Sequence, residues 1–315
     1  MRKSCFPAES PRDFFCSAMR QIWRILIEKC RIVRCFPVEK EGVQRYNSGI
    51  KSEERVGHME EKYTEKLEYL RRAIENSNYM VCLMGVGVSE DCGCINFRKQ
   101  QDALNMEIAY GYSPEEMFNP TFFSTRTEQF YDFYKNYMLK NLGKVKEGLF
   151  SLRHLEERGK LKCVITRDLF SIPRRAGCKN VYEIHGSVYE NFCPHCGRKY
   201  PIEYIQKSEG VPKCESCGSI VRPGVYMVGE MVDNRVISLA AEEVRKADTL
   251  LILGCDLKAP LPETFLKYFE GHHLILINQE PHFADEMADL TIHGKPGSNP
   301  NRCTVKLDKE ITDLW

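Results

Sequence analysis

Four cysteines in two close pairs carry the strongest chemical signal in this chain of 315 residues. Cys193-Pro-His-Cys196 and Cys214-Glu-Ser-Cys217 are separated by 17 residues, and a glycine follows each pair. Two such knuckles can bring four thiolates to the corners of a tetrahedron around a zinc ion. Because four sulfurs close the coordination sphere, we expect a structural zinc ion without a catalytic water. The alternative is that the four cysteines only pack together.

His185 lies eight residues before the first cysteine, in the stretch EIHGSVYENFC. The two cysteine pairs already supply four ligands, so this histidine is not needed to bind the metal. The residues around it leave two interpretations open. His185 either performs separate chemistry beside the metal site or is a buried histidine that hydrogen-bonds to a backbone carbonyl.

The motif GVGVS (residues 85–89) follows an apolar run, YMVCLMG, that is typical of a buried strand. Glycines at a strand-to-helix turn let backbone N–H groups approach a pyrophosphate, and the helix N-terminus adds partial positive charge. A tight turn alone would also explain the pattern. Phe97 and Arg98 follow a short distance on, and an aromatic ring with a cation suits the ribose and phosphates of a nucleotide. We therefore predict a nucleotide site here.

Apolar runs that would position these residues alternate with helical patterns. Runs typical of buried parallel strands lie at residues 79–85, 162–166, 248–254 and 273–278. Helical spacing of apolar residues occurs over residues 59–79, 147–159 and 234–247. Strands that alternate with helices form βαβ units. The pattern predicts an α/β fold with a doubly wound parallel sheet.

The amino-acid composition argues against several classes of protein. Lys and Arg total 45 against 44 Asp and Glu, so no charge excess indicates a nucleic-acid partner. Fifteen cysteines without an evident signal peptide argue against a disulfide-stapled secreted domain. No apolar run approaches the roughly 18 residues that span a bilayer. We expect a soluble, cytoplasmic protein without a transmembrane segment and without a nucleic-acid partner.

Residues 1–58 differ in residue pattern from the rest of the chain. Here basic residues interleave with a short apolar stretch and scattered cysteines. The pattern fits a basic amphipathic helix for a membrane surface or a partner. It also fits a poorly ordered extension, or upstream sequence with Met59 as the true start. We expect a poorly ordered extension.

The motifs occur in a distinctive order: GVGVS, NFR, VITRDLFSIPRRAG, EIHGS, the two cysteine pairs, RPGVYMVGE, LILGCDL and LILINQE. This series resembles the sirtuin family from about residue 60 to about residue 297, as a divergent bacterial-type member. The resemblance implies a Rossmann-like domain with an inserted small zinc-binding module. It also implies that NAD and an acyl-lysine peptide or protein meet between them, and that the acyl group passes to ADP-ribose as nicotinamide leaves.

The same resemblance implies domain bounds and residue roles. Residues 59–187 and 224–300 would form the NAD-binding domain, residues 188–223 the zinc-ribbon module, and residues 301–315 a C-terminal tail. His185 matches the catalytic base of the family, which takes a proton from a ribose hydroxyl, and Asp168 is the second catalytic candidate. The cofactor-binding candidates are Gly85, Val86, Gly87, Ser89, Phe97, Arg98, Arg167, Gly254, Asp256, Asn278 and Glu280.

One segment departs from the family pattern. Where sirtuins carry Thr-Gln-Asn-x-Asp, this chain has Arg167 for the glutamine, Asp168 for the asparagine and Phe170 for the aspartate. In the family this aspartate recognises the nicotinamide carboxamide, and phenylalanine cannot accept a hydrogen bond. An unpaired buried donor costs about 1–3 kcal/mol. Asp168 could compensate by binding ribose hydroxyls, and Arg167 could pair with Asp168 or hold a phosphate.

Three functions therefore stay open. The first is an NAD-dependent protein deacetylase or deacylase, supported by the histidine, the NFR motif and the cysteine pairs. The second is an ADP-ribosyltransferase or NAD hydrolase on the same fold. The third is a catalytically weak module that binds NAD or ADP-ribose, which the replaced segment favours.

Overall fold

The computed structural model describes residues 64–97 and 99–294 of the chain. The predicted N-terminal extension, the predicted C-terminal tail and Arg98 lie outside these residues.

The first described helix, α1, covers residues 64–76 and confirms the amphipathic pattern predicted at this place. Leu70, Ala73 and Ile74 are buried, at the spacing that puts them on one face. They join the hydrophobic core on one side of the central sheet. Lys66 donates to the backbone carbonyl of Thr291 over 2.7 Å, which connects the helix to an edge strand of that sheet.

Within the described residues, the strands form two sheets. They are β1 (Met80–Met84), β2 (Leu161–Thr166), β3 (Val181–Glu183), β4 (Gly186–Phe192), β5 (Lys199–Tyr200), β6 (Arg222–Val225), β7 (Thr249–Leu253), β8 (His273–Asn278) and β9 (Leu290–His293).

Helices and short turns of helix connect the strands. The α-helices are α2 (Val86–Asp91), α3 (Gln100–Tyr110), α4 (Pro114–Met117), α5 (Pro120–Thr125), α6 (Thr127–Phe133), α7 (Phe150–Glu157), α8 (Ile172–Arg175), α9 (Ile202–Lys207), α10 (Asn234–Lys246) and α11 (Pro260–Phe265). A π-helix (Tyr134–Met138) continues α6, and 3-10 helices lie at Glu147–Leu149, Leu266–Tyr268 and Phe283–Met287. None of the helices in the described part of the chain has the length and apolar character needed to cross a membrane.

The larger sheet has the order β3-β2-β1-β7-β8-β9, and its neighbouring strands are all parallel. Successive residues of a strand point to opposite faces, and β1 and β7 are buried along their whole length. Met80, Cys82 and Met84 join the core on one face, whereas Val81 and Leu83 join the core on the other. Both faces of the sheet are therefore covered, which confirms the predicted α/β fold with a doubly wound parallel sheet.

The smaller sheet is antiparallel, with the order β5-β4-β6. It is inserted between β3 and β7 of the larger sheet, and both cysteine pairs lie between its strands. Its strands span residues 186–225, two residues more at each end than the predicted module. The inserted small module that the sequence predicted is therefore present.

Candidate active site

Four strands of the larger sheet end level with one another at their carboxyl edge, and a fifth strand, β8, continues one residue further. Met84 of β1 is aligned with Thr166 of β2 and with Leu253 of β7. Thr166 is also aligned with Glu183 of β3, and Leu253 with Ile277 of β8. Since neighbouring strands lie about 4.8 Å apart, this row is roughly 19 Å long. The predicted residues that follow the strand ends are Gly85, Val86, Gly87, Ser89, Arg167, Asp168, His185, Gly254, Asp256, Asn278 and Glu280.

The row contains the point at which the strand order reverses. From β1 the chain builds outward through β2 and β3, and it returns to the other side of β1 with β7, β8 and β9. Ligands of open parallel sheets bind outside the carboxyl ends of the strands at such a switch point. Gly85 with the first turn of α2 (residues 85–89) and the loop after β7 (residues 254–256), here called the two glycine loops, flank this point.

These two loops approach each other so closely that glycine is required. The Gly87 N–H donates to the Gly254 carbonyl over 2.9 Å. A Cβ on Gly87 would lie 2.6 Å from that carbonyl oxygen, and one on Gly85 would lie 2.4 Å from the Cβ of Cys255. Gly254 has φ +65°, and a Cβ there would lie 2.6 Å from the Val88 nitrogen. The glycines of both motifs therefore let the two loops pack against each other at the switch point.

Asp168 is buried in the loop after β2. Its backbone N–H donates to the Thr166 hydroxyl over 3.0 Å, and its carboxylate accepts from the Ile172 N–H over 3.2 Å. Burial raises the pKa of the Asp168 carboxyl, while its hydrogen bonds and the nearby Arg175 guanidinium oppose this shift. The buried Ser89 hydroxyl lies near this carboxylate without a hydrogen bond of normal geometry.

Arg167, the residue before it, contacts the candidate base. Its Nε–H donates to His185 Nε2 over 2.7 Å. His185 itself lies in the turn between β3 and β4, and its carbonyl accepts from the Tyr226 N–H over 2.9 Å. The structure thus brings the replaced segment and the candidate base into direct contact.

A chain of side-chain hydrogen bonds supports the same turn. Ser171 donates its hydroxyl hydrogen to Glu183, so the hydrogen bond between Ser171 and Ser187 is donated by Ser187. Arg174 also donates to Glu183, over 3.0 Å. Burial raises the pKa of Glu183, and the bonds from Ser171 and Arg174 oppose this shift. Because Glu183 and Ser187 lie two residues on either side of His185, the network fixes the backbone that carries the imidazole.

The four cysteines of the smaller sheet form a compact cluster. Their sulfur atoms all lie within 4.8 Å of one another, with 3.4 Å between Cys193 and Cys217 and 3.5 Å between Cys196 and Cys214. A tetrahedral site with Zn–S bonds of about 2.3 Å places its sulfurs roughly 3.8 Å apart. The Tyr200 hydroxyl donates to Cys214 over 3.1 Å, and this bond lowers the pKa of that thiol together with the backbone N–H groups of Ser216 and Cys217. The sulfur set therefore fits a structural zinc ion.

Comparison with known proteins agrees with this geometry. A sequence profile described as the Sir2 family matches residues 85–260. An NAD-dependent protein deacetylase of Clostridium acetobutylicum is 36% identical over 234 residues, which cover 74% of this chain and 96% of that protein. The chain belongs to the Sir2 family.

Solved structures of other Sir2 proteins share the fold. A Sir2 homologue–NAD complex matches with a TM-score of 0.65 and 31% identity, over 78% of this chain and 93% of that one. A Sir2 protein bound to acetylated peptide matches with a TM-score of 0.58 and 27% identity, over 71% of this chain and 91% of that one.

In this sirtuin, the candidate Phe97 and the replacement residue Phe170 both pack on protein. Phe170, which replaces the family aspartate, is only 4% exposed and belongs to the hydrophobic core. Phe97 is half-buried, and its ring stacks on Phe118 with 6.3 Å between the ring centres. Arg98, the predicted partner of Phe97, lies outside the described residues.

The remaining cofactor candidates lie at the carboxyl edge. The side chain of Val86 is 48% exposed there. Asp256 accepts from the Lys258 N–H over 2.8 Å, so its carboxylate stabilises its own loop. Asn278 donates to the Glu280 carbonyl over 3.1 Å, and the Glu280 side chain is exposed.

Sequence reasoning missed several residues around the site. Arg175 donates to the carbonyls of Leu142 and Gly143 and lies 5.7 Å from the centre of the Tyr189 ring, so it ties three segments together near Asp168. Tyr200, the partner of Cys214, was also missed. The sequence holds a weak signal for Arg175 in the Arg-Arg pair after Pro173, and no spacing rule indicates Tyr200.

Proposed function

We propose that this sirtuin is an NAD-dependent protein deacylase that moves an acyl group from lysine to the ADP-ribose part of NAD and releases nicotinamide. One observation carries the proposal. His185 lies at the same carboxyl edge as the two glycine loops and is anchored there by hydrogen bonds to its ring and its backbone. A general base must be held beside the bound cofactor to act on it.

The carboxyl edge has features that suit a dinucleotide. It forms a row roughly 19 Å long across the switch point, with the half-exposed Val86 at its surface. The buried Ser89 hydroxyl lacks a hydrogen bond of normal geometry, as a polar atom does when a ligand completes its environment. Phe170 offers no acceptor to a carboxamide, so the contacts to the nicotinamide end differ from the family pattern.

The residues at the carboxyl edge would have separate roles in binding and in proton transfer. The glycine loops and Ser89 would bind the phosphates and ribose, and Asp168 would order the ribose hydroxyls. His185 would take a proton from a ribose hydroxyl and so make it a better nucleophile. When bound, NAD supplies the ADP-ribose that receives the acyl group and the nicotinamide that leaves. The zinc ion held by the four cysteines would stabilise the small module only, since its coordination sphere is closed.

Other parts of the proposal concern the domains and the substrate. We propose residues 59–187 and 224–300 as the cofactor-binding domain and residues 188–223 as the zinc-ribbon module, and the presence of two separate sheets within the described residues supports this division. The Sir2 structure with acetylated peptide supports an acyl-lysine peptide or protein as substrate. A cytoplasmic location stays a prediction from composition.

The test is nicotinamide release by the full chain with NAD, with and without an acetyl-lysine peptide. We expect release that depends on the peptide and falls at least a hundredfold in His185→Ala, in line with the loss of a general base. His272→Ala removes an exposed histidine at the opposite end of β8 and is the matched control, with unchanged release.

Two other results of this assay would each support one of the alternative functions. Consumption of NAD that ignores the peptide would indicate the ADP-ribosyltransferase or hydrolase, which the deacetylase name of the Clostridium relative does not favour. A rise in melting temperature with NAD but no release would indicate the binding module, which the buried Phe170 favours.

A further inference from the structure

The contact between Arg167 and His185 constrains the protonation of the candidate base. The Arg167 Nε–H donates to His185 Nε2 over 2.7 Å, and both side chains are half-buried. An arginine is always protonated in proteins and can only donate. His185 Nε2 is therefore the acceptor, which leaves the ring proton on Nδ1.

We propose that Arg167 is a positioning residue that holds His185 as a neutral imidazole, with its proton on Nδ1 and its lone pair on Nε2. An imidazolium has no acceptor nitrogen, so protonation of His185 breaks this hydrogen bond and leaves two cations side by side. A like charge at such a distance disfavours the charged form. His185 consequently stays neutral to a lower pH than a histidine without this neighbour.

Two carboxylates near the same turn are engaged elsewhere. Asp168 accepts from a backbone N–H of α8, and its pKa is raised by burial. Glu183, on the chain segment of His185, accepts from a serine and an arginine. From the loop after β6, Tyr226 contacts His185 through the backbone. Among the contacts described for these three elements, the Arg167 guanidinium is a cation that lies directly against the imidazole ring.

The catalytic consequence rests on the proposed function. A ribose hydroxyl that approaches Nε2 must replace the guanidinium as the donor at that atom. The resemblance to sirtuins puts an uncharged glutamine where this chain has Arg167. With the arginine, His185 is a weaker base that remains unprotonated, and therefore usable, at lower pH.

The first test observes His185 in the ligand-free full chain by NMR of ¹⁵N-labelled histidine. The signals report the protonation and tautomer of each of the eight rings, and the signal missing from His185→Gln identifies His185. We expect a neutral ring protonated on Nδ1 in the wild type. Its titration midpoint should lie about one pH unit below the midpoint in Arg167→Gln.

Two further variants make this test specific to the charge. Arg167→Lys keeps a cation beside the ring and should stay close to the wild type. Arg71→Gln removes an exposed arginine of α1 and is the matched control, with no change expected. Equal midpoints and the same tautomer in the wild type and Arg167→Gln overturn the proposal.

The second test is the pH profile of nicotinamide release. With each protein scaled to its own maximum, the acidic limb of Arg167→Gln should lie about one pH unit above that of the wild type, which is up to about a tenfold lower relative activity at acidic pH. An acidic limb that is the same in both proteins contradicts the catalytic part of the proposal. If the wild type releases no nicotinamide at any pH, the proposed function fails, while the NMR comparison still decides the role of Arg167.

Discussion

The cysteine module and the carboxyl edge of the larger sheet are held together in different ways. In the module, two tight turns within 25 residues of chain bring four sulfur atoms within 4.8 Å of one another. Gly197 and Gly218 both have φ +73° and donate back to the first cysteine of each pair. At the carboxyl edge, by contrast, the contacts join distant residues such as Gly87 and Gly254.

This difference determines what each region depends on. The module has four metal ligands of one kind close together, so a bound ion can supply much of its stability. The edge has no comparable centre in the described residues, and its geometry follows from strand register and close loop contacts. Removing a ligand should therefore affect the module most, whereas small changes in shape should affect the edge most.

The largest effect is expected from Cys214→Ser. A hydroxyl is a poor zinc ligand, so the variant should lose the metal that stabilises the module. Structural zinc contributes on the order of 10 kcal/mol to the folding of small domains. We expect no bound zinc by mass spectrometry and early thermal unfolding of residues 188–223. The same early unfolding is expected when the wild type is treated with a chelator.

The first cysteine pair supplies the control for this prediction. His195 lies between Cys193 and Cys196 and is exposed, so His195→Ala should keep one zinc ion per chain. A Cys214→Ser protein that retains zinc and melts like the wild type would show that the module does not depend on its ion.

The next effect in size is expected from Gly254→Ala, which tests the close approach of the two loops. The new Cβ would lie 2.6 Å from the Val88 nitrogen, at a residue with φ +65°. We expect a loss of about 3–4 kcal/mol in the free energy of unfolding, measured by urea denaturation. Gly159→Ala is the matched control, because Gly159 has φ +72° and open space around it. Equal losses in both variants would mean that only the backbone angle matters.

Residue spacing predicted the features that depend on residues close together in the sequence. The apolar runs at residues 79–85 and 248–254 correspond to β1 and β7, and their length and alternation with helices are sufficient to predict a parallel sheet. The two Cys-x-x-Cys pairs predicted the sulfur cluster for the same reason, since each pair is brought together by its own turn.

The contacts between loops could not be predicted in this way. Arg167 was expected to pair with Asp168 or to hold a phosphate, and the structure shows it bound to His185. Spacing predicts which residues follow a strand, but the direction of each side chain depends on the packing of segments far apart in sequence. The left-handed backbone of Ser171 and the contacts of Arg175 also depend on such packing, so residue spacing did not predict them.

Ser171 offers a finer test of the edge, because it has φ 51° without being glycine. Ser171→Ala keeps the unfavourable backbone angle and removes the hydroxyl from Glu183 and Ser187, so a loss of about 2 kcal/mol is expected. Ser171→Gly removes the same hydroxyl but relieves the angle, which is worth about 1–2 kcal/mol. Urea denaturation should therefore rank the wild type and Ser171→Gly close together, with Ser171→Ala below both. The opposite order of the two variants would contradict strain at this residue.

The smallest effect is expected from Asp168→Asn, and it depends on pH. Burial raises the pKa of Asp168 above its ordinary value of 3.8, so the folded protein favours the protonated carboxyl. The stabilisation from this group is fully present below pH 3.8 and is lost as the pH rises through the raised pKa. Asparagine is neutral throughout, so Asp168→Asn should melt like the wild type at pH 3 and above it at pH 7. The same difference in melting temperature at pH 3 and at pH 7 would show that ionisation of Asp168 does not destabilise the carboxyl edge, and would contradict this prediction.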